Sequence, residues 1–134
     1  HMSSYLSFRK NGVNVISFSR NSEIYEVLRY QAPIGEWAPV DSKALCEGLE
    51  ELYDSKQRCL NYKKTQEKAL EYLSSAEDIY EALSSIQDIE EQIEGIERCI
   101  AYLDLLIKIA KEHVYEYRNG VLEEKEIKFE WKID

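Results

Sequence analysis

Three sets of side chains in this 134-residue chain are of types that could do chemistry or recognise a partner. The first is acidic. No basic residue lies between Lys68 and Arg98, whereas Glu71, Glu77, Asp78, Glu81, Asp88, Glu90, Glu91, Glu94 and Glu97 all do. Charge of one sign on one stretch steers encounter with a surface of the other sign. The expected partner is a protein with a basic surface, such as the nucleic-acid channel of an enzyme, met by Glu77, Asp78, Glu81, Asp88, Glu90, Glu91 and Glu94. The competing expectation is internal pairing with the helix that carries Lys56, Arg58, Lys63, Lys64 and Lys68. With a turn near residues 74–75, Lys68 would lie near Glu81, Lys63 and Lys64 near Asp88 and Ile86, and Lys56 near Glu94. Five bases against ten acids from 56 to 97 would still leave −5.

The second set is Arg9, Arg20 and Arg29 with Tyr25, Tyr30 and Trp37. Guanidinium groups hold anions bidentately and aromatic faces stack on rings, so a nucleotide-like signal would suit them. A ligand-binding sponge built on Arg9, Arg20, Tyr25, Arg29 and Trp37 is the alternative function. The plainer expectation is that these rings fill a joint while the arginines face water. The third set is Cys46, Cys59 and Cys99, odd in number and far apart, which reads as free buried thiols in a reducing compartment.

Nothing resembles a catalytic grouping. His113 is the one histidine outside His1-Met2, itself an expression-vector scar, so a triad base or metal ligand would have to be that residue. Lys10-Asn11-Gly12-Val13 and Arg118-Asn119-Gly120 are turns without the continuation of a phosphate loop. No enzyme, no metal and no cofactor are expected. The net charge of −9 argues against direct nucleic-acid binding through phosphates. Residues 3–40 hold +1, so the excess acid lies beyond them. No apolar run reaches the ~18 residues of a membrane span, and the expected location is cytoplasmic.

The elements that must position these groups are set by one periodicity. Ile79, Ala82, Ile86, Ile89, Ile93, Ile96, Ile100, Leu103, Ile107, Ala110, Val114 and Tyr117 alternate steps of three and four, a coiled-coil seam. A preceding helix from Ser42 to about Leu73 offers Leu45, Leu49, Leu52, Lys56, Cys59, Lys63, Gln66, Leu70 and Leu73, apolar at both ends and polar in the middle. Ser74 to Asp78 supplies the turn and a new N-cap; Ser84-Ser85 and Gly95 are weak points in the second helix. Tyr5–Phe8 and Val13–Phe18 flank Asn11-Gly12, the pattern of a β-hairpin, with Phe8 opposite Val15. That register puts apolar residues on both faces. A short helix over Glu23–Tyr30 follows, capped at Asn21-Ser22, then an irregular stretch with Pro33, Gly35, Trp37 and Pro39 before an N-cap at Asp41. Ile127–Ile133 alternates strictly and reads as a third antiparallel strand.

The fold expected is α+β: a long antiparallel helical hairpin, coiled-coil-like, with a small antiparallel sheet from the N-terminal hairpin and the C-terminal strand. It forms one domain over 3–134: hairpin, short helix and Pro/Trp loop at 3–40, helical hairpin at 41–117, C-terminal strand at 118–134. Lysine stems can cover apolar surface. Even so, the isoleucine seam exceeds its lysine-interrupted partner, so a homodimer through Ile86, Ile89, Ile93, Ile96 and Ile100 is expected.

Tyr5-Leu6-Ser7-Phe8-Arg9-Lys10-Asn11-Gly12, followed by Phe18-Ser19-Arg20-Asn21-Ser22-Glu23-Ile24-Tyr25, resembles small accessory proteins of bacteriophages and prophages. Size, acidity and the lack of catalytic groups are similar to phage anti-defence inhibitors, among them anti-CRISPR proteins and DNA mimics. The resemblance implies a non-enzymatic inhibitor of a host defence factor, acting by protein–protein contact in the host cytoplasm. It carries over no functional residue.

Overall fold

The computed structural model describes residues 4–119 and 128–134, with side chains over 4–112 and 128–134. The chain is α+β, a long helical hairpin set on a four-stranded antiparallel sheet. In order, the elements are β1 (Tyr5–Lys10), β2 (Val13–Ser19), α1 (Glu23–Leu28), β3 (Ala38–Pro39), α2 (Ser42–Cys46), α3 (Leu49–Ser74), α4 (Ile79–Asn119) and β4 (Phe129–Ile133). His113 lies in the backbone of α4; its side chain, and the contacts of Val114 and Tyr117, fall outside the described residues, as do 120–127.

Asn11 (φ 53) and Gly12 (φ 78) take the left-handed backbone that a two-residue hairpin turn demands. Lys10 pairs with Val13 and Arg9 with Asn14, but the next pair is Phe8 with Ile16, so Val15 is an extra residue in β2. This bulge corrects the expected register. A one-residue slip carries a whole strand to the other face. Leu6, Phe8, Ile16 and Phe18 thus share the inner face, and the outer face is polar, with the Ser7 and Ser17 hydroxyls 3.0 Å apart. β4 adds antiparallel to β1, setting Ile133, Trp131 and Phe129 beside Leu6, Phe8 and Lys10.

The Pro/Trp loop is more ordered than its composition predicts. It runs along the free edge of β4: Ile133 N donates to Pro33 O (2.8 Å), Gly35 N to Ile133 O (2.8 Å) and Val40 N to Phe129 O (2.9 Å). The resulting order is β2-β1-β4-β3, one strand more than expected. An edge suits Pro39, which has no N–H to give a further neighbour.

The apolar end of α4 closes the core. Leu103, Leu106, Ile107, Ile109 and Ala110 are buried with Leu6, Phe8, Ile16, Phe129, Trp131 and Ile133, and with Ile24, Leu28, Leu45 and Leu52 from the other helices. The first long helix is not continuous. It breaks at Glu47-Gly48 into α2 and α3, and Leu28 occupies the space a side chain at 48 would need; a Cβ there would stand 2.9 Å from Leu28 Cδ1. Ser84-Ser85, by contrast, leaves α4 unbroken over 41 residues. Asp41 caps α2 through Lys43 N (3.1 Å), Ser22 caps α1 through Tyr25 N (3.4 Å), and Asp78 accepts from Glu81 N (3.2 Å) at the start of α4. Among the described residues no helix is long and apolar enough to cross a membrane.

Leu28 is fully buried, so it cannot swing away from a new methyl group. Gly48→Ala should therefore lower unfolding free energy by about 1–3 kcal/mol, the usual cost of overpacking. Urea denaturation with an unchanged m-value checks it, and a variant as stable as the parent would show that the α2–α3 break tolerates a side chain.

Candidate functional site

The acidic block occupies the distal arm, where only α3 and α4 remain. The cross-helix register there is legible from polar contacts. Lys56 Nζ lies 2.6 Å from Asp104 Oδ1, Lys63 Nζ 3.3 Å from Glu97 Oε1, and Gln66 Nε2 donates to Gln92 Oε1. Lys63 also reaches Glu67 at 4.0 Å, one turn along its own helix. These contacts correct the pairing expected from a turn at 74–75, which set Lys56 by Glu94 and Lys63 by Asp88. The loop continues to Asp78, and the start of α4 overhangs the end of α3, leaving Ile79 and Leu83 about half exposed (48% and 47%).

The shift of about nine residues changes which acids are neutralised. The lysines of the polar seam are spent on Asp104 and Glu97, at or beyond the basal edge of the block. Among the described residues, Glu77, Glu81, Asp88, Glu90, Glu91 and Glu94 make no ion pair, and all are exposed. Asp78 is exposed too, its carboxylate committed to the helix cap. The arm also carries bare rings near its tip: Tyr72 is 77% exposed and Tyr80 87%. Tyr80 and Leu83 stand one turn apart, so they and Ile79 form one apolar patch edged by Glu77, Asp78 and Glu81. The sequence did hold this signal. Counting Ile79 as a buried seam residue concealed it.

The isoleucine seam faces inward. Ile86 is buried and Ile89, Ile93, Ile96 and Ile100 are half-buried along the α3 side. The stems of Lys56 and Lys63 lie over it, with each side chain about one third exposed. Within the one chain the seam is thus covered in part.

The arginine and aromatic residues do not converge. Arg9 and Trp37 do meet: the guanidinium lies 4.6 Å from the ring centroid, and Lys132 Nζ sits 4.9 Å from the same ring. Arg9 Nε is also bound to Glu130 Oε1 at 2.9 Å. Tyr25 is buried in the core. Arg29 turns to Glu26 (3.4 Å) and to the Tyr30 ring (4.9 Å). Arg20 follows Ser19, which pairs with Tyr5 at the opposite end of β1 from Arg9. Four residues of strand separate the two positions by about 13 Å. Both observed stacks are closed on themselves, a ring already sandwiched by cations and an arginine already holding a carboxylate.

A cleft of about 620 Å³ lies elsewhere, between the β3–β4 edge and the helices, with Pro39, Ser42, Ile109, Glu112, Lys128 and Glu130 among its lining. None of the acids, arginines, aromatic residues or cysteines singled out from the sequence as candidate site residues lines it. Among the described residues, no cluster of three His, Cys, Asp or Glu could hold a metal ion. The three cysteines are free and half-buried, rather than buried. Burial, and after it the neighbouring Cys99, push the Cys59 thiol above its ordinary value of 9.0, with Arg58 opposing. No family model matches this chain, and no curated protein or solved structure is similar to it.

The Arg9–Trp37–Lys132 stack predicts a contrast within the set. Trp37→Ala should cost about 1–3 kcal/mol, through two cation–π contacts and a half-buried ring, whereas Arg20→Ala should stay within about 0.5 kcal/mol. Thermal melts of both variants check this; equal effects would mean that Arg20 shares the stack's environment.

Proposed function

We propose that this protein is a non-catalytic binding protein whose distal arm docks on a basic surface of a protein partner, as a phage-type inhibitor of a host defence factor would. One observation carries the reading: six exposed acids of the arm, Glu77, Glu81, Asp88, Glu90, Glu91 and Glu94, make no ion pair among the described residues, while the seam lysines Lys56 and Lys63 are held by Asp104 and Glu97. Acids left unneutralised on a projecting arm repel one another, and an oppositely charged surface relieves that repulsion. The exposed Tyr80, Ile79 and Leu83 supply what charge alone lacks, since tyrosines at the centre of an interface carry much of its binding energy. Apolar anchors rimmed by acids fit a basic cleft in a protein. α3 spans about 39 Å at 1.5 Å per residue over its 26 residues, its first turns packed in the base and its remainder in the arm.

The two parts of this surface separate kinetically. Capture from bacterial lysate with the wild-type chain identifies the partner, and association is then measured against salt. Changing Glu90, Glu91 and Glu94 to Lys should slow association at least tenfold at low salt, and the wild-type on-rate should fall steeply as screening shortens to about 8–10 Å. Tyr80→Ala should raise the off-rate about tenfold or more, equivalent to about 1.4 kcal/mol, with stability unchanged within about 0.5 kcal/mol. An on-rate indifferent to salt and to the triple reversal would return these carboxylates to ordinary solvated surface.

A further inference from the structure

Halfway along the arm, the packing between α3 and α4 is thinner than at the base. The α3 face there offers Lys56, Cys59, Lys63 and Gln66, and the opposing Ile93, Ile96 and Ile100 are only half-buried. Cys59 is the one apolar side chain of α3 in that span of the seam. Opposite it stands Cys99, near enough to be among the causes that raise the Cys59 thiol. The flanking ion pairs agree with this placement: 59 falls between 56 and 63 on one helix, and 99 between 97 and 104 on the other. Helix axes 8–10 Å apart bring facing Cα atoms to about 6 Å or less, within the span a disulfide accepts.

We infer that Cys59 and Cys99 form an oxidisable pair, which a hydroperoxide converts to an intramolecular disulfide stapling α3 to α4. The sulfur that is first to act does so as the thiolate, attacking one peroxide oxygen. The O–O bond breaks, a sulfenic acid forms, and the departing hydroxide takes up the released proton as water. The second sulfur then attacks the sulfenic sulfur. The S–S bond forms, the S–O bond breaks, and hydroxide leaves with the second thiol's proton as another water. Two electrons pass from the thiols to the peroxide, and thiol reductants reverse the change. Because burial holds Cys59 as the neutral thiol at neutral pH, closure quickens as pH rises toward its raised value. Cys46 lies in α2, away from the arm, and stays free.

The staple closes a loop of some forty residues across the half-buried middle of the arm, and so stiffens it. It also pins the register that turns the acids outward. The chemistry stands independently of what the arm binds.

The test treats the full-length chain with hydrogen peroxide and reads intact mass, then peptide maps after alkylation. The expected result is a loss of about 2 Da, one remaining alkylatable thiol at Cys46, and a linked Cys59–Cys99 peptide, all reversed by dithiothreitol. The oxidised chain should melt about 5–15 °C higher than the reduced one. Cys46→Ser should behave as the parent, while Cys59→Ser and Cys99→Ser should lose the intramolecular product. Mapping of the unaltered chain decides the matter even where a serine variant folds poorly. A link involving Cys46, separate oxidation of Cys59 and Cys99 to sulfinic acids, or three thiols surviving peroxide would each overturn the inference.

Discussion

The polar middle of α3 is the constraint on which the rest of the arm depends. A helix that answers an isoleucine seam with Lys56, Lys63 and Gln66 must lay aliphatic stems on the apolar surface and find anions for the heads at its edge. Asp104 and Glu97 stand where those heads arrive, and Gln92 meets Gln66. Each exposed pair contributes little to stability, about 0–1 kcal/mol. Their effect is on register: sliding the helices would move both lysine heads off their carboxylates at once. The same arrangement commits the two seam lysines to Asp104 and Glu97, and the acids further out make no ion pair among the described residues.

The basal end works by different physics. There, α4 is apolar on several faces and packs under a sheet whose inner face is largely apolar, so burial rather than charge holds it. The β2 bulge is what makes that face uniform. Were Val15 paired opposite Phe8 instead of bulged out, Ile16 and Phe18 would face outward, and the core would lose one strand's contribution. Gly48 plays a comparable part among the helices, ending α2 where Leu28 needs room. α4 belongs to both ends and joins the packed base to the thinly packed arm.

Much of this was legible in the residues. The seven-residue spacing from Ile79 onward, the Asn11-Gly12 turn, the alternation ending at Ile133 and the caps at Ser22, Asp41 and Asp78 each have a local cause, and local causes are written locally. The misjudged features depend on distant partners. Nothing near Val15 announces a bulge, since it is set by what the inner face must meet. The need for a glycine at 48 is set by Leu28, twenty residues earlier. The arginine and aromatic set looked like a site because types were counted without their positions; strand register separates Arg9 from Arg20, and Tyr25 has core neighbours. Helix-to-helix register was the most consequential error. A turn's centre cannot be placed by composition to better than a few residues, and each residue of error there moves the facing residue by two.

That register is also the central claim, and it can be measured without any partner. A spin label at position 64, which is exposed on α3, with the native cysteines replaced by serine, broadens the amide signals of whatever part of α4 faces it. Registers nine residues apart differ by about 14 Å along the helix axis, well within what such broadening resolves. The structure predicts maximal broadening around Gly95 to Glu97. Broadening centred on Ile86 to Asp88 would contradict it, bring the lysines back against the acidic block, and remove the basis for treating that block as a free surface.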